Sequence, residues 1–367
     1  MRHATHIGRL TMLAAGLGIG AALAWTPGVA LADPSTMLTP TEIADIDKVL
    51  VALLDPSGAP IQVSINGMDL FPTDGNTATA SSGMGDIAIA VGDGANSISA
   101  GPAFPFGISL GSGIGDVTFA NGTNSTADAG VIGNANFDFV YANGTGSFAN
   151  AELGGNLDIA SAVGDGSKST VGVGDSFDLA SANGANSSAD VGLGNYDLAL
   201  ANGTDSIATA GVGNDDVSSA FSGGNADAGG FASTALASDG GKATSEGGFF
   251  DSAYGSGTNV TALADGDSAI ASATGTNAEA NAVGGIGDLA SVINTGSAFD
   301  QAIAGGTIGG PIGYHDLATI IGTGSTAIAG SDLTTAGNFD DAVVFGDMLN
   351  AIATGKDFLV DILPSLF

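Results

Sequence analysis

The chain has 367 residues, 61 of them glycine and none cysteine, with 38 acidic against 6 basic side chains and a formal net charge of −32. A mean hydropathy of +0.33 excludes a disordered acidic tail, the lack of a three-residue glycine period excludes collagen, and the lack of cysteine excludes a disulfide framework. What remains is an ordered chain of small residues, glycine-rich and acidic.

Residues 1–32 read as a secretory signal peptide. Arg2 and Arg9 form a basic start, Leu10 to Trp25 is mostly apolar, and Ala30-Leu31-Ala32 is a small-x-small cleavage site just before Asp33. Cleavage after Ala32 leaves Lys48, Lys168, Lys242 and Lys356 as the cations, four against 38 acids, or −34. No span then crosses a membrane. The expected location is the medium or the cell envelope and surface. Nucleic-acid binding is excluded, because nothing can neutralise phosphates. Arginine clamps and His/Cys zinc sites are excluded too. A Ser-His-Asp site would have to use His315.

Residues 33–76 form an N-terminal segment with a short amphipathic helix. Thr39-Pro40-Thr41-Glu42 is a capping box, Ile43, Ile46, Val49, Leu50, Leu53 and Leu54 follow at helical spacing, and Pro56 stops the run. Its expected role is an end cap, which repeat arrays need.

Residues 77–335 form a repeat. An aspartate followed by an apolar residue recurs at Asp138-Phe139, Asp158-Ile159, Asp178-Leu179, Asp197-Leu198 and Asp216-Val217. Asn-Gly or Asp-Gly follows the first four, at Asn143-Gly144, Asp165-Gly166, Asn183-Gly184 and Asn202-Gly203, then a short alternating stretch, then corners such as Gly192-Leu193-Gly194. Each unit of about 19–20 residues thus offers two strand-like stretches of period 2 and two glycine-rich corners. One unit of Ala, Ser and Val cannot bury enough apolar area to offset its ordering entropy, but stacked units can. The fold class is therefore all-β: a β-solenoid or β-roll of about 12–13 coils, roughly 60 Å long at ~4.8 Å per coil. The pattern leaves open which strand face is inward. In Asp178-Leu179-Ala180-Ser181-Ala182 one face carries Asp, Ala and Ala, and the other Leu and Ser. Most apolar ladders are core, so Phe139, Ile159, Leu179, Leu198 and Val217 are expected to point inward. If they point outward, they form an oligomer or ligand surface.

The glycine-aspartate corners are compared with calcium-binding repeats of the pattern G-G-x-G-x-D-x-U-x. The match is loose. Asp175, Asp178, Asp215 and Asp216 are the candidate calcium ligands, through carboxylate and carbonyl oxygens. The adjacent pairs Asp215-Asp216 and Asp340-Asp341 face opposite sides of a strand, so they are poor glycosidase pairs. Residues 336–367, ending Phe358-Leu359-Val360-Asp361-Ile362-Leu363-Pro364, are more apolar and are expected to cap the other end.

The signal ending Ala-Leu-Ala-Asp-Pro, with Ala-Asn-Gly-Thr and Gly-Asp-Gly units, resembles secreted glycine/alanine/asparagine-rich repeat proteins of mycobacteria. The array is similar in style to PGRS regions, without a PE domain and with few Gly-Gly-x triplets. The Ser-x-Ala-x-Gly flavour also resembles the head repeats of trimeric autotransporter adhesins. Both resemblances imply an exported surface protein and no reaction. The expected function is a non-enzymatic secreted or cell-envelope repeat protein, an adhesin-like or host-interaction rod. Its partner would be a protein or an envelope surface, and it could be a homo-oligomer. The alternative is a calcium-responsive β-roll that folds after export.

Overall fold

A computed structural model describes residues 60–70, 77–83, 85–99, 115–129, 137–151, 155–172, 176–294, 296–305, 314–330, 339–354 and 359–362. The expected signal peptide, the helix after Thr39 and Asp175 lie outside the described residues. Every element among the described residues is a strand. They form two sheets, one of 16 strands and one of 14, and successive strands of the chain alternate between them. Apart from the first two strands, every pairing is parallel. The chain is a two-sheet β-solenoid with coils of about 19 residues.

One coil shows the construction. Asp178 turns the chain into the first-sheet strand Leu179–Asn183. Gly184 to Ser187 make a corner, and Ser188–Val191 is the second-sheet strand. Gly192 to Tyr196 make the second corner, and Asp197 begins the next coil. The register is exact to the residue: Leu179 lies beside Ile159 and Leu198, and Ala180 beside Ala160 and Ala199. Asparagine and glycine at the corners have a conformational reason. Asn186 has φ +54°, and Gly184 has φ +148°. A Cβ on Gly184 would also strike the backbone of Gly203, one coil on. Coils stack this closely only where no side chain intervenes.

The interior corrects the expected parity. Ala160, Ala162, Ala180, Ala182, Ala199 and Ala201 are fully buried, while the neighbouring Ile159 is 40% exposed and Phe139 38%. The large residues point outward. The reason is the thinness of a two-sheet coil: the largest fully buried side chains are Ile320 and a few valines, and most inward positions hold alanine or serine. A leucine at each coil would force the sheets apart, whereas stacked alanines let them close on one another.

The ends differ. The strands β1 (Ile61–Ile65) and β2 (Met68–Asp69) form an antiparallel hairpin at the N-terminal edge. After β3 (Thr79–Ser82), β1 pairs antiparallel with β4 (Ile87–Val91), which terminates the parallel stack. Ile61, Val63, Ile89, Val91 and Phe119 make a small separate apolar cluster there, on the outward side of the first sheet. At the other end the strands Asp341–Phe345, Asn350–Thr354 and Leu359–Ile362 continue both sheets, so coils run on past Thr335.

Candidate functional site

Three rows of side chains run along the solenoid and define its surface chemistry. The first is buried. Asp86, Asp116, Asp138, Asp158, Asp178, Asp197 and Asp216 stack at the start of successive first-sheet strands, each at most 2% exposed. Each carboxylate accepts the backbone N–H of the next ladder residue through Oδ1, at 3.1 Å from Asp158 to Asp138 and 2.8 Å from Asp216 to Asp197. Ser233 and Ala269 interrupt the carboxylates, but their N–H groups still donate to Asp216 and Asp251. The ladder resumes with Asp288, Asp316 and Asp340.

This row has an electrostatic cost. The Oδ2 atoms of Asp116, Asp138, Asp288 and Asp316 are buried with no hydrogen-bond partner among the described residues. Burial pushes the Asp138 carboxyl up to about 8, with help from the neighbouring charges of Asp116 and Asp158. It pushes Asp316 up to about 7, and Asp116 and Asp251 to about 6. Asp86, Asp216 and Asp288 are raised for the same reason. Desolvation outweighs the backbone hydrogen bonds, which act in the opposite direction.

The second row precedes the first by one residue and is exposed. Phe137, Leu157, Phe177, Tyr196 and Phe250 have φ between 62° and 67° and are 47–62% exposed. A bulky residue rarely adopts the left-handed region, at about 1–2 kcal/mol each. Glycine holds the same place at Gly85, Gly115 and Gly287, with positive φ. The rings stack along the axis: Phe177 and Tyr196 have centroids 5.1 Å apart and planes within 9°. His315 belongs to this row, with φ 55° and its ring 5.3 Å from that of Phe339. It is thus an exposed stacking residue beside the buried Asp316.

The third feature is the outward face of the first sheet. From Ile87 to Gly322 none of the twelve first-sheet strands contains a charged residue. The second sheet carries Asp128, Lys168, Asp190, Asp227, Lys242 and Glu279. Lys168 pairs there with Asp190 at 3.3 Å. In a chain of net charge −32 this segregation leaves one long uncharged strip. Its exposed side chains include Phe139, Ile159, Tyr254, Ile270 and Ile293. Contiguous exposed apolar surface of this extent marks a contact site.

Of the expected calcium ligands, the three that are described, Asp178, Asp215 and Asp216, do not converge. Asp178 and Asp216 sit two coils apart in the buried ladder, about 9–10 Å at the coil spacing. Each is committed through Oδ1 to a neighbouring N–H. Asp215 is exposed in the second row, with φ 61°. Among the described residues, no three His, Cys, Asp or Glu side chains group as metal ligands. A shallow depression of about 610 Å³ lies beside Phe231 and Phe249, and the ionisable groups lining it are Asp227 and Glu246.

The spacing marks the ladder aspartates as the landmark of the repeat and offers Asp178 and Asp216 as calcium ligands, and it gives no account of the second row. Its signal was present: a bulky residue stands directly before the repeat aspartate at Phe137, Leu157, Phe177, Tyr196, Phe250 and Phe339. No protein family, curated protein or solved structure matches the chain. Among the described residues no helix is long and apolar enough to cross a membrane.

Proposed function

We propose that the chain is a non-enzymatic rod, exported after cleavage at Ala32, that works at the cell surface or in the medium through contacts along its length. The observation that carries this reading is the uncharged apolar strip, repeated coil after coil on one side of a rigid stack. A repeated surface suits many weak contacts that add through effective concentration. The sequence supports export through its n-, h- and c-regions. The acidic second sheet disfavours anionic partners, so the strip meets a neutral or apolar surface.

Fractionation of producing cells tests the reading. The protein should be recovered from medium or envelope with Asp33 at its N-terminus, and small-angle scattering should give a rod about 70 Å long, the span of the 16-stranded sheet at ~4.8 Å per strand. Full-length protein retained in the cytosol contradicts it, as does a discrete activity abolished by His315→Ala. A calcium titration followed by far-ultraviolet circular dichroism separates it from a β-roll that orders only on calcium. The rod should show its β signal before calcium is added.

A further inference from the structure

We propose that the outward face of the first sheet is covered by the same face of a second copy, in a face-to-face dimer of two rods. The inference rests on the rod reading and deepens it by naming what the strip binds.

Area is the first argument. The exposed strip runs from the strand Phe139–Asn143 to the strand Leu317–Gly322, ten strands of the first sheet. At ~4.8 Å per strand and about 3.3 Å per residue it measures roughly 45 Å by 16–20 Å, about 700–900 Å². A stable interface needs about 800 Å² from each partner.

Charge is the second. Two chains of this acidity repel one another in most orientations. The first-sheet face is the side on which both surfaces lack charge. With sheets packed about 10 Å apart, the second-sheet acids of the two copies are roughly 30 Å apart. That exceeds the Debye length of about 8 Å at physiological salt severalfold. The exposed acids Asp165 and Asp205 stand at the corner beyond the strands of the strip, where a polar rim is expected.

Shape is the third. The first outward position of each strand forms a ridge, with Ile159, Leu179, Leu198 and Val217 side by side. The next outward position is small at Ser161, Ser181, Ser219, Ser272, Ser291 and Thr319 and large at Tyr141, Leu200, Leu236 and Tyr254, so a trough opens beside the ridge over six of the ten strands. A twofold axis along the rods, between the two outward positions, seats Ile159, Leu179, Val217, Ile270 and Leu289 over the small residues Ser161, Ser181, Ser219, Ser272 and Ser291 of the second copy at the same coil level. Such a contact is isologous and closes on itself. The same operation brings the row of Phe177 and Tyr196 over the third outward position of the partner, so the exposed rings are covered too.

Sedimentation equilibrium on the chain from Asp33 to Phe367 tests the proposal, with scattering and circular dichroism as checks on folding. The native chain should be a dimer at micromolar concentration. Leu179→Lys with Leu198→Lys should make it a monomer with an unchanged β spectrum. Ile207→Lys, the same change on the second sheet, should leave the dimer intact. Ser181→Phe should weaken association at least tenfold, because it fills the trough. A native chain that is rod-shaped but monomeric at 100 µM overturns the proposal and leaves the rod reading standing; a chain that is no rod overturns both. Neutral phosphatidylcholine vesicles that capture the monomer, and do so more tightly with Ser181→Phe, assign the strip to a lipid surface instead. A monomer that dimerises only after removal of residues 33–59 assigns it to that segment. Either result overturns the proposal.

Discussion

Leu179 and Ala180 are neighbours with opposite fates, and their energetics follow from the parity of one strand. Ala180 is fully buried between two sheets, and Leu179 is half-buried between Ile159 and Leu198 on the surface. Ala180→Leu should therefore cost about 1–3 kcal/mol or more by overpacking. Leu179→Asp should cost under about 1 kcal/mol, the worth of its cross-strand neighbours. Thermal melts of the two variants check the order. The strained second row gives a different outcome. Leu157→Gly relieves a left-handed leucine and should raise stability by about 0.5–1 kcal/mol. Denaturant titration measures it, and a clear loss would show that stacking outweighs the strain. The buried aspartates set the pH response. Their folded pKa values lie above the ordinary carboxylate range, so the folded chain binds protons more tightly than the unfolded one. That stability is complete below about pH 4 and is lost as pH rises through about 6 to 8. The melting temperature should fall from pH 5 to pH 8.5, and Asp138→Asn should flatten the fall.

At the scale of the coil, much was legible in the chain. The 19–20-residue spacing from Asp138 to Asp216 and the glycine-rich corners predict stacked strands, and the strands Phe139–Asn143 to Val217–Phe221 occupy those places. The parity was not legible from hydrophobicity, because a two-sheet coil is too thin for leucine and reverses the usual rule. The informative signal was uniformity. Inward positions repeat as Ala160, Ala180 and Ala199, whereas outward positions wander among Phe139, Ile159, Leu179 and Val217. The ladder of Asp138 to Asp216 shares the inward parity, so it was hidden by the same reversal. Register makes a sharp prediction here. Deleting Asp158 through Asp215 joins Leu157 to Asp216, removes three coils, and should leave a folded rod shorter by about 14 Å. Deleting Asp158 through Asp216 shifts the junction by one residue, exchanges the two faces at the join, and should destabilise the chain severely. Scattering and thermal melts of the two deletions distinguish the cases.

For the whole molecule, the acids and the apolar side chains are sorted onto different sides. Among the described residues most carboxylates lie in the ladder, hydrogen-bonded to the next coil, or face water at the corners and the second sheet, while Asp300 is buried in the second sheet. The twelve first-sheet strands from Ile87 to Gly322 are left uncharged, and their outward side chains can meet a flat partner. This sorting depends on which residue of each alternating pair faces out, and the absence of cysteine allows that to be measured with single thiols. The decisive measurement is the rate at which the Leu179→Cys and Ala180→Cys variants react with a soluble thiol reagent, at nanomolar protein where copies stay apart. The Leu179→Cys thiol should react close to the rate of an unfolded peptide, and the Ala180→Cys thiol should be protected until the rod unfolds. The reverse order would place the large residues inside and contradict the uncharged outer face on which the account of function rests.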